Sequence, residues 1–324
     1  VGGNLAATTD ANNGLINLGT LAVDGTVALT TNGSGNATAV NDAGLTFAAS
    51  TVGGNLAATA TTGNIADSGA LTITGTTTLT TSANNATIAL DTTTNAFTGA
   101  VTITTNDDSG TDADVTIDGG TTALILAAST IDGDLTVTSG NASGITDSGT
   151  LTVGGNLAAI TDANNGVINF GTLAVDGLTT LQTHGTGDAT VVNDVRVRFN
   201  NTEVGGNLST TATTGNITHE SAVVVGGTSS FTTSASNARI GLEGFANTLT
   251  GAVTLNTNGS GRANIDNGTT ALNIAASSVG GNLTLTSGAA AGITDSGTLT
   301  VGGNLVATTD ANNGLINLGT LAVD

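Results

Sequence analysis

Residues 1–24 read VGGNLAATTDANNGLINLGTLAVD, and this tract decides the fold because it returns twice along the chain. Residues 153–176 read VGGNLAAITDANNGVINFGTLAVD, and residues 301–324 differ from the first copy only at Val306, where the first copy has Ala6. A fixed period of this kind is the sequence signature of a repeat architecture. The chain is therefore predicted to be an array of stacked repeats.

Each super-repeat divides into shorter units wherever an aliphatic residue is followed two positions later by glycine, as at Val52 and Gly54. Each complete super-repeat has five such landmarks and a sixth start, at Val101 or Val253, that lacks the glycine. Together they define six units of about 21–30 residues, a length typical of solenoid repeats. We therefore expect one continuous solenoid with six coils in the first super-repeat, six in the second and the start of a third. The three segments are 1–152, 153–300 and 301–324.

Within the units, apolar residues recur with a period of two, as in GTLAVDG (19–25) and GTLTVGG (149–155), which is typical of short strands. Clusters such as TDANNG (9–14) and TNGSGN (31–36) predict tight turns. In a parallel β-helix, each coil pairs with its neighbours and buries an interior that no single coil could bury alone. The predicted fold is an all-β, right-handed parallel β-helix of about twelve coils. No capping sequence flanks the array, so both ends are expected to be uncapped.

The composition excludes several partners and site types. Only four basic residues accompany 24 acidic ones, giving a net charge of −20, which repels nucleic acid and anionic lipid. There is no run of about 18 apolar residues to predict membrane insertion. The chain lacks cysteine, so disulfides and thiolate metal sites are excluded.

The recurring segments VGGNL, GITDSGTLTVGGNL (144–157 and 292–305) and TTGNI (61–65 and 213–217) carry a resemblance. They resemble repeats of the large secreted exoproteins of Gram-negative bacteria related to filamentous haemagglutinin. The resemblance implies export by a two-partner or autotransporter-like route. It also implies an extracellular or cell-surface location and a role in adhesion, aggregation or surface coating.

An acidic, glycine-containing segment at 106–120 gives the clearest signal for a metal, because Ca²⁺ takes six to eight oxygen ligands. The candidate ligands are Asp107, Asp108, Asp112, Asp114 and Asp118. The second super-repeat replaces much of this segment with Gly259, Gly261 and Arg262, so a solvated acidic loop is the alternative. No other cofactor is predicted.

Catalysis would require paired carboxylates or a base held on one face of the coil. The chain has three Glu residues, Glu203, Glu220 and Glu243, all in the second super-repeat, so no catalytic residue is predicted and the chain is not expected to be an enzyme. His184 and His219 stand apart in polar surroundings and are interpreted as solvated turn residues.

Arg196 and Arg198 alternate with apolar residues, which predicts a strand that directs both cations outward. Nearby carboxylates, Asp194 and Glu203, would balance them on the outer face. The alternative is a contact with a neighbouring acidic chain.

Together these patterns predict an extracellular structural or adhesive filament whose partners are copies of itself, associated end to end or laterally, and surface glycans. One alternative is a carbohydrate-active enzyme on a β-helix. The other is a calcium- or ice-binding surface protein, although the unequal coil lengths would interrupt a flat threonine array.

Overall fold

The computed structural model describes residues 1–106, 112–311 and 313–323. The chain forms two compact units, Val1–Gly166 and Val167–Asp324. Every element of regular structure in the described ranges is a β-strand.

Twenty strands belong to the first unit. They are β1 (Leu5–Asn12), β2 (Ile16–Leu21), β3 (Thr26–Asn32), β4 (Ala37–Asn41), β5 (Leu45–Phe47), β6 (Ser50–Val52), β7 (Leu56–Ala60), β8 (Ile65–Asp67), β9 (Leu71–Ile73), β10 (Thr77–Thr81), β11 (Ile88–Leu90), β12 (Ala96–Phe97), β13 (Val101–Thr104), β14 (Val115–Asp118), β15 (Leu124–Leu126), β16 (Ser129–Ile131), β17 (Leu135–Ser139), β18 (Ile145–Asp147), β19 (Leu151–Val153) and β20 (Leu157–Asn164).

The second unit contains the remaining strands. They are β21 (Ile168–Val175), β22 (Thr179–His184), β23 (Ala189–Asn193), β24 (Val197–Phe199), β25 (Thr202–Val204), β26 (Leu208–Ala212), β27 (Ile217–His219), β28 (Val223–Val225), β29 (Ser229–Ser236), β30 (Ile240–Leu242), β31 (Thr248–Leu249), β32 (Val253–Asn258), β33 (Ala263–Asp266), β34 (Leu272–Ile274), β35 (Ser277–Val279), β36 (Leu283–Ser287), β37 (Ile293–Asp295), β38 (Leu299–Val301), β39 (Leu305–Thr309), β40 (Ile316–Asn317) and β41 (Leu321–Val323).

Within each unit the strands form two sheets, and each coil contributes strands to both. We call them sheet A, which contains β1, β3 and β17 in the first unit, and sheet B, which contains β2, β4 and β7. Neighbouring strands are parallel and lie one coil apart, as where Leu135 pairs with Leu157 and Thr136 with Ala158. The prediction of an all-β parallel β-solenoid is confirmed.

The coil count differs from the prediction of twelve, because the solenoid has about 15 turns. The prediction equated each aliphatic-x-Gly landmark with one coil. However, Val23 and Gly25 precede β3 in sheet A, whereas Val52 and Gly54 precede β7 in sheet B. The unit between these landmarks therefore holds one and a half coils, and counting landmarks underestimates the number of turns.

The landmark motif also changes sheet in a regular way. In the first unit it precedes β1 and β3 in sheet A, then β7 and β10 in sheet B, then β17 and β20 in sheet A. Half of a super-repeat thus spans a half-integral number of turns. Successive half-repeats place the same motif on alternate sheets.

The interior is a narrow stack of aliphatic side chains, built by the period-two alternation. In β3, for example, Val27 and Leu29 are fully buried, and the residues between and beside them point outward. Burying each such side chain contributes about 1.5–3 kcal/mol. Five of the six Phe residues also lie in this core, and Phe199 contacts Phe231 edge to face at 6.4 Å between ring centroids.

Within each unit, Asn and Asp side chains just ahead of the strands link one coil to the next like the rungs of a ladder, in sheet A and in sheet B. In each rung the side-chain Oδ1 accepts a hydrogen bond from the backbone N–H of the equivalent residue in the next coil. Asn207 is one such rung, because its Oδ1 accepts from the Thr228 N–H at 2.8 Å. Further rungs, written acceptor to donor, are Asn4 to Thr26, Asn55 to Thr76, Asp134 to Asn156, Asp188 to Asn207, Asn216 to Arg239 and Asn282 to Asn304.

The ladder explains the glycine of the landmark motif. A Cβ atom placed on Gly227 would lie 2.5 Å from Asn207 Oδ1 and 2.7 Å from the Gly206 carbonyl carbon. Contacts this short are sterically forbidden, so the landmark position at Gly227 requires glycine.

Replacing a ladder residue with alanine is expected to weaken the solenoid. Asn207→Ala removes the acceptor for the Thr228 N–H and for its Oγ1, which also lies 2.8 Å away. We expect the free energy of unfolding to fall by about 0.5–1.5 kcal/mol, measured by urea denaturation. Asn207→Asp is the matched control, because aspartate fills the same rung at Asp188 and should leave stability near wild type. Equal losses in both variants would contradict the acceptor role.

Candidate functional site

The predicted calcium ligands separate into two groups in the described residues. Asp112 and Asp114 are exposed ahead of β14, whereas Asp118 ends that strand. Asp107 and Asp108 lie outside the described residues. In the described parts of the chain, no group of three or more His, Asp or Glu side chains is arranged to hold a metal ion. Calcium binding by the whole segment stays a prediction.

Asp118 lies in a locally acidic environment. Partial burial raises the pKa of its carboxyl group, and the negative charges of Asp162, Asp91 and Asp67 raise it further. The Gly120 N–H donates to Asp118 Oδ1 at 2.7 Å and opposes these effects on the pKa only in part.

The three Glu residues do not converge on a catalytic arrangement. Glu220 forms an ion pair with Arg198, with 2.7 Å between Oε1 and Nη2, and Glu243 lies 3.5 Å from Arg239 Nη1. Glu203 lies on the outward face of β25. The prediction that Asp194 and Glu203 balance the Arg196–Arg198 strand is therefore wrong for Arg198, whose partner comes from the next coil.

The interpretation of His219 as a solvated turn residue is also wrong. It ends strand β27, is only 8% exposed, and places Nε2 at 3.1 Å from the Glu243 carbonyl oxygen. The half-exposed ring of Phe245 covers it edge to face at 5.2 Å. The loop that carries Glu243 and Phe245 therefore shields the imidazole from solvent. His184 is exposed, but it is the last residue of strand β22 rather than a turn residue.

The surface carries a cleft of about 350 Å³ that we call the arginine cleft. It is lined by Asn216, Asn237, Arg239, Ser260 and Arg262. The two arginines come from consecutive coils of sheet A. Each directly precedes a strand, and the first residues of those strands, Ile240 and Ala263, are paired in register. Their backbones are therefore about 4.8 Å apart.

Hydrogen bonds fix the floor of the cleft. The Arg239 N–H donates to Asn216 Oδ1 at 2.8 Å, which makes Asn216 a rung of the ladder. Asn237, in a left-handed turn with φ of 65°, accepts from the Ser260 N–H at 2.9 Å and from its Oγ at 2.7 Å. Both turns are thus held rigidly, while the guanidinium groups point outward.

The cleft is positively charged on a strongly acidic chain. Glu243 balances part of the charge on Arg239, at 3.5 Å. No carboxylate in the described ranges lies within 4.0 Å of Arg262, which is exposed. Guanidinium groups and neutral amides together suit a carboxylate or another oxyanion, because an Arg fork can donate two parallel hydrogen bonds.

The arginine cleft is not predicted from the sequence. Arg239 and Arg262 are separated by a whole coil of the chain, and nothing in the local sequence joins them. The coil register joins them, since the residues that follow them, Ile240 and Ala263, are strand partners. The two arginines are spaced by the length of one coil, so a correct assignment of the coils would have predicted that they are neighbours.

A comparison with protein families identifies the repeat. A family model described as repeats of unknown function, DUF5649, matches residues 34–104, 112–169, 186–256 and 260–323. The chain belongs to this family. No protein of curated function and no solved structure matches the chain. In the described residues, no helix is long and apolar enough to cross a membrane.

The four DUF5649 matches repeat at the spacing of the super-repeat. The first and third begin at positions 34 and 186, which are separated by the same interval as Val1 and Val153. The second and fourth begin at positions 112 and 260, which are separated by the same interval as Val153 and Val301. Each super-repeat therefore carries two family repeats.

The family repeat is also the half-repeat that alternates between sheets. The landmark motifs of the first match lead into sheet B, and those of the second match lead into sheet A. The boundary between two matches is thus the place where the motif changes sheet.

The raised pKa of Asp118 gives a pH-dependent prediction. Between the ordinary value of 3.8 and the raised folded value, the unfolded chain ionises while the folded chain holds its proton. Folding stability attributable to Asp118 therefore falls as pH rises through this window. We expect Asp118→Asn to gain stability over wild type as pH increases from 3 to 7, measured by urea denaturation across this range.

Asp266→Asn is the control for this substitution. Asp266 accepts the corresponding turn bond from the Gly268 N–H at 2.9 Å in the second super-repeat. A stability difference between Asp118→Asn and wild type that does not change with pH would contradict the prediction.

Proposed function

We propose that this DUF5649 chain forms the shaft of an extracellular structural or adhesive filament and has no catalytic role. The observation that carries the proposal is the join between super-repeats. In the first unit, β17 is the last sheet A strand of one super-repeat and pairs with β20 of the next, with Leu135 opposite Leu157. In the second unit, β36 pairs with β39 in the same register, with Leu283 opposite Leu305.

A join that recurs in one register allows the solenoid to extend by whole super-repeats without a new interface. Each added super-repeat buries the same aliphatic stack and extends the same ladder. A repeat protein with nearest-neighbour contacts of this kind gains stability in proportion to its length. This property suits a long, stiff element better than a compact binding domain.

The outer surface also fits a role in contact rather than catalysis. Its outward positions carry mostly small polar residues, as in β10 (TTLTT) and β17 (LTVTS). The acidic net charge of −20 keeps such a surface soluble. The resemblance of the repeat to secreted exoproteins supports an extracellular, cell-surface location and surface glycans as ligands.

Imaging of native material tests this proposal. Negative-stain electron microscopy of cells that express the protein, with immunogold labelling of the repeat, is expected to show labelled filaments outside the cell envelope. Brief protease treatment of intact cells should remove the label. Compact particles without filaments would contradict the filament. Label confined to the cell interior would contradict the extracellular location.

A further inference from the structure

The arginine cleft has a counterpart in the first super-repeat with the opposite charge. The family matches align residue 112 with 260, and residues 34–104 with 186–256. At equivalent positions the first super-repeat has Asp112, Asp114 and Thr87, and the second has Ser260, Arg262 and Arg239. The same place in the fold is therefore acidic in one super-repeat and basic in the other.

The backbone framework is similar in the two versions. Asn85 and Asn237 both lie in left-handed turns, with φ of 61° and 65°. Asn237 holds Ser260, and the Asn85 amide, oriented to donate, lies 2.6 Å from Asp112 Oδ1. The Asn85 and Asn237 turns thus share one backbone conformation, whereas the charged side chains beside them have opposite sign in the two super-repeats.

Asp112 and Asp114 are both exposed, although Asp112 faces the Asn85 amide and Asp114 Oδ1 accepts a hydrogen bond from the Asp134 N–H at 2.8 Å. Ala113 between them is buried, so the two acidic side chains alternate with it and lie on the outer side. In extended chain, residues two apart are separated by about 6.6 Å. Two guanidinium groups on backbones about 4.8 Å apart reach this spacing readily, because arginine side chains are long.

From this charge reversal we infer that the arginine cleft of one chain binds the Asp112–Asp114 carboxylates of a second copy. The inference rests on the proposed filament function and names its lateral partner. The contact is heterologous, since a basic surface meets an acidic one. Each chain that is added leaves another cleft free, and such contacts build open assemblies rather than closed dimers.

Long-range repulsion between two acidic chains does not prevent this contact. At a physiological ionic strength of about 0.15 M, charges more than about 8 Å apart are largely screened. Ion pairs at direct contact are screened less. The cleft contains the two arginines that are stacked on consecutive coils, so local attraction is concentrated there.

Sedimentation velocity of the purified chain at about 0.15 M NaCl measures the association. We expect Arg239→Glu with Arg262→Glu to weaken self-association at least tenfold. The matched control is Arg196→Glu with Arg198→Glu, which changes the net charge equally outside the cleft and should stay within about twofold of wild type. Equal weakening in both double variants would overturn the inference, as would a wild-type chain that stays monomeric.

A charge swap makes the test specific. Asp112→Arg with Asp114→Arg should also lose self-association, but a mixture of this chain with the Arg239→Glu, Arg262→Glu chain should associate. Asp112→Asn with Asp114→Asn, which retains the oxygen acceptors, provides a second variant if the swapped chain does not fold. Circular dichroism checks folding in each case. Failure of the folded swapped pair to associate would overturn the inference.

Two further measurements separate the alternatives. Polygalacturonate binding that depends on Arg239 and Arg262, with self-association unchanged in the cleft variant, would overturn the inference in favour of an acidic-glycan site. If native material shows filaments but every cleft variant still self-associates as the wild type does, only the lateral contact is overturned. Cleft-dependent association of the purified chain without native filaments would overturn only the filament.

Discussion

The parallel pairing of each coil with the next is the constraint on which this structure depends. A single coil exposes both edges of its strands and cannot bury its own aliphatic residues, so it has no stable form alone. Side-chain hydrogen bonds between coils add to the backbone pairing. Asn or Asp ahead of the strand satisfies a backbone N–H of the following coil, and glycine leaves room for it. Local turn, ladder and core therefore require one another.

This interdependence explains why the fold could be predicted from sequence. Alternating aliphatic residues, tight turns and a near-identical tract at 1–24 and 153–176 together leave a parallel solenoid as the economical solution. The number of turns could not be read in the same way. The landmarks at Val23 and Val52 look alike, yet the Val23 landmark leads into sheet A and the Val52 landmark leads into sheet B. Which sheet a motif enters depends on pairing between coils, which local sequence does not encode.

The candidate site shows the same limit. The acidic segment was visible because its aspartates are close in sequence, whereas Arg239 and Arg262 meet only through the coil register. His219 was misjudged for a similar reason, because the Phe245 loop that covers it belongs to the next coil. In a solenoid, residues one turn apart are immediate neighbours, as Ile88 and Val115 are here. Candidate site residues in such a chain should therefore be compared with the residues one coil length away in the sequence.

The half-integral length of the family repeat has a geometric consequence. Within the first unit, the motif enters sheet B in one DUF5649 repeat and sheet A in the next, so a feature carried by both repeats is displayed on alternate sheets. Duplication of one repeat would reverse the side that all later repeats present, whereas duplication of two would preserve it. Growth of such a chain in steps of whole super-repeats keeps a one-sided surface, such as the arginine cleft, facing one way. The super-repeat is therefore the smallest unit that can be copied without turning the surface over.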